Sequence, residues 1–204
     1  MLNPVVAGEF CPGDGEYSAM EEYARLLARR LSPGRIRHSL GVAEYSARLA
    51  ARHGAPVEKA RLAGLLHDYA RDLPPQELIA RAERAGLISH VVEKRVPVLL
   101  HGPVGAWLLR EEVGIADEEI LQAVSRHTTG APNMSLIDKI IYLADALEPG
   151  RQYYGVDDLR RMAEEDLDRA LLKTMESGIV YVLRRGQLLH PVTIEARNYL
   201  LINR

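Results

Sequence analysis

The chain has 204 residues, of which 47% are hydrophobic and 26% charged, and its formal net charge is −2. This is the composition of a globular protein with an apolar core, and the balance of charge excludes a dedicated nucleic-acid binder, which carries a strong basic bias. A single cysteine, Cys11, excludes an intrachain disulfide, and no apolar run approaches the ~20 residues of a membrane span.

The N-terminus lacks the basic region and apolar run of a signal peptide, so a cytoplasmic setting is expected, without a membrane partner. Residues 1–16 include the turn-rich string "GEFCPGDGE" and are expected to be irregular. From Tyr17 to residue 204 the pattern is helical throughout, and period-two alternation is nearly absent. Ser32-Pro33 reads as a helix start, with Ser as cap and Pro in the first turn. Ile36, Leu40, Ala43, Ala47 and Ala50 then keep a 3.6-residue period up to His53-Gly54. A third helix is expected from Val57 to about Tyr69, and Pro74-Pro75 opens a fourth.

"HGPVGAWLLREE" begins another helix, with Pro103 in its first turn. Ala116 to His127 reads as a helix stopped by "TTGAP". Ser135 and Asp138 stand at capping-box spacing before "IIYLADAL", and Pro149-Gly150 closes that segment. Val156 to Ser177 reads as one long amphipathic helix, with shorter helices after it. Helices joined by short Gly/Pro turns imply one all-α bundle.

Against this apolar background a few polar residues stand out. His67 and Asp68 are adjacent in "LLHDYARDL", where adjacent helical side chains point about 100° apart and converge only on an object beside the helix. A carboxylate buried without a partner costs several kcal/mol, so something positive is expected there. Ala60, Ala63 and Gly64, just before the pair, are expected to leave a hole beside it. Asp145 interrupts "IIYLADAL" in the same way.

His38, His101 and His127 fall on or at the ends of apolar helices, and each alone also fits a hydrogen-bonded core or capping histidine. Four histidines and two aspartates together form a donor set for Fe, Mn or Zn, larger than one tetrahedral ion needs. It suits two ions sharing a bridging carboxylate. His53, His90 and His190 sit in polar or turn contexts and are expected at the surface.

Three arginines stand near these donors. Arg35 is one turn before His38, Arg71 one turn after Asp68, and Arg151 follows the turn after Asp145. Guanidinium groups suit bidentate phosphate contacts. Neither a Rossmann glycine fingerprint nor a phosphate-binding P-loop is present.

The order His38, His67-Asp68, Asp145 resembles the HD-domain superfamily of metal-dependent phosphohydrolases. The strings "HSLGVAEYSARLA", "GLLHDYARDLP", "HGPVGA", "HTTGAPNMSLIDKIIYLADALEPGR" and "HPVTIEARNYL" are more specific. They resemble the YqeK-type family, the bacterial symmetrical diadenosine tetraphosphatases, over residues 32–201. The resemblance implies a single all-α HD-type helical bundle over residues 17–204. It also implies hydrolysis of diadenosine tetraphosphate into two ADP by a hydroxide that two metals activate.

By motif position the implied ligands are His38, His67, Asp68, His101, His127 and Asp145. The resemblance makes Asp68 the expected catalytic, bridging residue. One ion takes His38, His67 and Asp145, and the other His101 and His127. The implied cofactor is a pair of divalent ions, iron in the family, with Mn and Zn also acceptable to these donors. Arg35, Arg71 and Arg151 are the expected substrate-binding residues, and the segment His190-Pro191-Thr193 an expected nucleoside contact. The expected partners are the nucleotide substrate and its ADP product, with no nucleic acid and a possible homodimer. Other HD hydrolases, such as a nucleotidase or another nucleotide phosphodiesterase, share the ligand set and remain the alternative.

Overall fold

Eleven α-helices and no strand occur among the described residues, 15–203, of the computed structural model. Residues 1–14, including Cys11 and most of the segment expected to be irregular, lie outside the described residues. The first helix, α1 (Gly15–Ala28), is followed by α2 (Pro33–His53), α3 (Val57–Leu66) and α4 (Pro75–Arg84). Then come α5 (Val91–Arg95), a 3₁₀ turn at Pro97–Leu100, α6 (His101–Leu108) and a π turn at Leu109–Val113. The chain continues through α7 (Glu118–Arg126), α8 (Leu136–Leu147), α9 (Val156–Glu165), α10 (Leu167–Arg184) and α11 (Pro191–Ile202).

The core is built around α8. Ile137, Ile140, Ile141, Leu143, Ala144 and Leu147 are fully buried, so this helix is apolar nearly all round and packs against several neighbours. α2 contacts α3 and α8, while α7 contacts α6 and α8. The expected capping box is present: Ser135 Oγ accepts from Asp138 N at 3.1 Å, and Asp138 Oδ2 accepts from Ser135 N at 3.1 Å. Among the described residues, no helix is long and apolar enough to cross a membrane.

Several expectations change. α3 ends at Leu66, so His67 and Asp68 lie in the turn after it rather than on the helix. That turn is tight. Tyr69 N–H donates to Leu66 O at 3.0 Å and Arg71 N–H to Asp68 O at 2.8 Å, the i→i−3 pattern that rotates side chains away from the α-helical phase. Ala60, Ala63 and Gly64 leave no hole: they let α2 approach. A Cβ on Gly64 would lie 2.7 Å from Ser46 Oγ and 3.0 Å from Val42 O.

The long helix expected over Val156–Ser177 is two helices, split at Asp166, whose backbone is extended and whose carboxylate accepts from Arg169 N at 2.9 Å. Ser32 is the N-cap residue of α2, but its side chain makes no capping bond. Its N–H donates instead to Asp72 Oδ2 at 2.8 Å. Of the histidines expected at the surface, His53 is half-buried and bonds Ala163 O at 2.6 Å. His90 is also half-buried and caps α5. His190 is buried: it caps α11 by accepting from Val192 N, and its Nε2 lies 3.4 Å from the buried Glu93.

Candidate metal centre

Five chain segments converge where α2, α3, α6, α7 and α8 meet. His38 comes from the second turn of α2 and Asp145 from the last turn of α8. His67 and Asp68 come from the turn after α3, His101 from the start of α6, and His127 from the residue after α7. All six side chains fall in one cluster.

His38 Nε2 lies 2.9 Å from Asp145 Oδ1, and His67 Nε2 lies 3.8 Å from the same oxygen. Asp68 sits between the two halves. Its Oδ2 is 3.5 Å from His67 Nε2, and its Oδ1 is 3.2 Å from His101 Nε2 and 3.9 Å from His127 Nε2. Two ligand triads have donor atoms within 4.8 Å of one another: His38, His67, Asp145, and His67, Asp68, His127. His67 belongs to both. His101 joins the second through His127, with 2.9 Å between their Nε2 atoms.

The hydrogen bonds decide which ring nitrogen faces inward. His67 Nδ1 is 2.7 Å from Gly64 O, His127 Nδ1 is 2.7 Å from Val124 O, and His101 Nδ1 bonds Val98 O. A carbonyl only accepts, so each Nδ1 carries the proton and each Nε2 presents a lone pair. His38 Nδ1 faces Glu148 Oε1 at 3.2 Å with the same consequence. Lone pairs therefore point at one another and at two carboxylates. His67 Nε2 is buried without a hydrogen-bond partner, which is costly unless a cation takes it. A cation already stands against one triad: Arg151 Nη2 is 2.6 Å from Asp145 Oδ1 and 3.3 Å from His38 Nε2. The donor set fits a divalent metal, and these groups can hold one.

The electrostatics agree. Burial alone raises the Asp68 carboxyl, but His67, His101 and His127 outweigh it and hold it well below the usual carboxylate range. Burial likewise raises Asp145, while the close approach of His38, then of His67, His127 and the Arg151 guanidinium, outweighs it and pulls the carboxyl far down. Burial and the neighbouring His101 and His67 push His127 down to about 3, so it stays neutral and ligand-competent at ordinary pH.

A cleft of about 630 Å³ opens beside His38, lined by Arg35, Arg37, Glu148 and Arg151 among others. Arg35 Nη1 reaches Asp68 Oδ2 at 3.2 Å. Arg71 is half-buried, and burial followed by the charge of Arg35 lowers its guanidinium from the usual range. Lys139 is turned away and pairs with Asp168 at 2.6 Å. Arg37 and Glu148 also line the cleft, although neither stands out in the sequence as a site residue. The available signal for Glu148 was a lone acid between the apolar end of α8 and Pro149-Gly150.

The profile of the HD domain family matches residues 35–150. This chain belongs to the HD domain family. It is 38% identical over 181 residues to a Bacillus subtilis (strain 168) protein named bis(5'-nucleosyl)-tetraphosphatase, symmetrical, covering 89% of this chain and 97% of that one. A protein of the same name from Halalkalibacterium halodurans is 41% identical over 178 residues, covering 87% of this chain and 95% of that one. A solved HD superfamily hydrolase from Clostridium acetobutylicum, described as involved in NAD metabolism, superimposes with a TM-score of 0.88 at 44% identity. That match covers 91% of this chain and 98% of the other. His67 and Asp68, adjacent in the sequence, lie within the matched residues and in the cluster described above.

Proposed function

We propose that this chain is a metal-dependent hydrolase that cleaves diadenosine tetraphosphate symmetrically into two ADP. The observation that carries the proposal is the convergence of four Nε2 lone pairs on two carboxylates, with the buried Nε2 of His67 left without any other partner. The names of the Bacillus and Halalkalibacterium relatives support the substrate.

In this reading His38, His67 and Asp145 would hold one divalent ion and His101 and His127 a second, with the Asp68 carboxylate available to both. When bound, such ions activate water at neutral pH and neutralise charge on phosphoryl oxygens. Iron is proposed from the family resemblance, and Mn and Zn suit the same donors. Arg35, Arg71 and Arg151 would bind the polyphosphate chain as charge builds on its oxygens; Arg35 and Arg151 line the cleft beside His38 together with Arg37, whereas Arg71 is not part of its lining. Water adds in line to one of the two inner phosphorus atoms, and the bridging oxygen departs with the other ADP. A cleft that orients one ADP half as a unit makes the two products equal. The proposal extends to a single HD-type domain over residues 17–204 in a cytoplasmic setting, without nucleic acid or membrane. The exposed Val180, Tyr181, Leu183 and Leu188 support a homodimer, which sedimentation checks.

The test is incubation with diadenosine tetraphosphate and Fe or Mn, with products resolved by chromatography. Two ADP are expected. ATP plus AMP, or phosphate released from a mononucleotide in the same panel, rejects the proposal and favours an HD-type nucleotidase; NAD belongs in the panel as a competing dinucleotide. Asp68→Ala is expected to abolish turnover.

A further inference from the structure

Backbone carbonyls hold three of the four clustered histidines. His38 is the exception, because its Nδ1 faces a side chain, Glu148 Oε1, at 3.2 Å. A carboxylate behind an imidazole raises the ring's basicity and fixes its plane more strongly than a neutral carbonyl does. Glu148 is itself 6% exposed, and a buried carboxylate needs partners. Besides His38 it has the N–H of Gly150, 2.5 Å from Oε2, while Arg151 Nε stays 4.0 Å from Oε1.

Two glycines make the seat. A Cβ on Gly41 would lie 2.8 Å from Glu148 Oε2, and one on Gly150 would lie 2.9 Å from both carboxylate oxygens. Neither glycine has a positive φ, so close approach rather than backbone conformation explains them. The seat connects two parts of the site. One oxygen faces a ring from α2, and the other holds the turn that carries Arg151, whose guanidinium reaches Asp145 Oδ1 at 2.6 Å.

We propose that Glu148 is a positioning residue. It fixes His38 with Nε2 toward the metal and locks the Gly150–Arg151 turn beside the same ion. Metal occupancy of the His38 half and placement of the Arg151 guanidinium are thereby coupled. This inference rests on the metal centre of the proposed function.

Glu148→Gln keeps the shape, but its amide oxygen can serve only one of the two N–H partners, and its NH₂ faces the other. Chelator competition without substrate is expected to show metal affinity lowered about 10- to 100-fold, the range for loss of a residue that orients a metal-bound histidine. The rise in Tm on adding metal should shrink with it. Asp166→Ala, at the α9–α10 break, serves as a stability control that leaves this rise unchanged. A merely structural Glu148 would lower the Tm of the metal-free protein and leave metal affinity at the wild-type value, which overturns the proposal. Should Glu148→Gln not fold, Gly41→Ala, which crowds Oε2, must lower metal affinity in the same direction, and wild-type affinity there also overturns it. If the wild-type protein binds no metal, the metal centre and this inference fall together. If it binds metal and the variants bind equally well, only the inference fails.

Discussion

Two glycines three residues apart on α6 are expected to respond oppositely to alanine. At Gly102 an added Cβ would sit 2.7 Å from Ser125 O and 3.1 Å from Val124 O, both backbone atoms of α7. Ordinary contact begins at 3.4 Å, so α6 must withdraw from α7 by about 0.7 Å, the difference between those two distances. Overpacking of this kind costs about 1–3 kcal/mol, less the ~0.5–1 kcal/mol that alanine gains over glycine in a helix. At Gly105 the new Cβ would meet nothing closer than 3.6 Å, so only the helix gain remains. Gly102→Ala should lower stability by roughly 1–2 kcal/mol, a fall of ~2–8 °C in Tm for a chain of this size, while Gly105→Ala should hold or raise it.

The clash also bears on the site. Val124 O is the acceptor that orients His127 at 2.7 Å, and His101 directly precedes Gly102. Gly102→Ala should therefore weaken metal binding beyond its effect on stability, and Gly105→Ala should not. Calorimetry and metal titration of both variants check this. A Gly102→Ala protein as stable and as metal-competent as wild type would refute the reasoning that these helices touch through glycine.

Metal removal should lower Tm, by an amount set by RT ln(1 + [L]/Kd), about 2.7 kcal/mol at a hundredfold excess over Kd; chelation followed by metal add-back measures it. The metal-free protein should lose stability as pH falls from about 6.5 to 3. His127 titrates near 6.5 when unfolded and near 3 when folded, so the unfolded state binds the extra proton in that window and stability rises with pH across it. The lowered Asp68 and Asp145 act with the same sign at the acid end, while the raised His38 opposes them near neutrality. Thermal melts in chelator across this range test the sign, and a flat profile contradicts it. Asp166→Ala should cost about 1 kcal/mol through loss of the cap on α10, without changing metal affinity, as urea denaturation and metal titration will show.

Helix starts and stops were legible wherever proline, glycine or a capping serine marked them. α2 ends at Gly54, whose φ of +73° is the left-handed conformation that glycine adopts freely. The break at Asp166 was not legible, because the apolar stripe runs through it. Val156, Leu159, Ala163, Leu167 and Ala170 are buried at intervals of three or four residues on both sides of the break, so periodicity alone sees one helix. The buried position of His190 was hidden for another reason: its partner Glu93 is distant in sequence, and a capping histidine before proline looks like an exposed turn.

The local pattern of this chain determined that it would be helical, where most helices would begin, and that His67, Asp68 and Asp145 would be out of place in apolar surroundings. Those facts depend on neighbours within a turn or two, where backbone sterics and 3.6-residue periodicity act. Only the tertiary structure decided which nitrogen of each imidazole faces inward and that α2 fills the space beside Ala60, Ala63 and Gly64. It also decided that a carboxylate at the end of α8 backs a ring on α2. Such relations follow from the packing of helices far apart in sequence, and no local pattern carries the direction in which a side chain will find its partner.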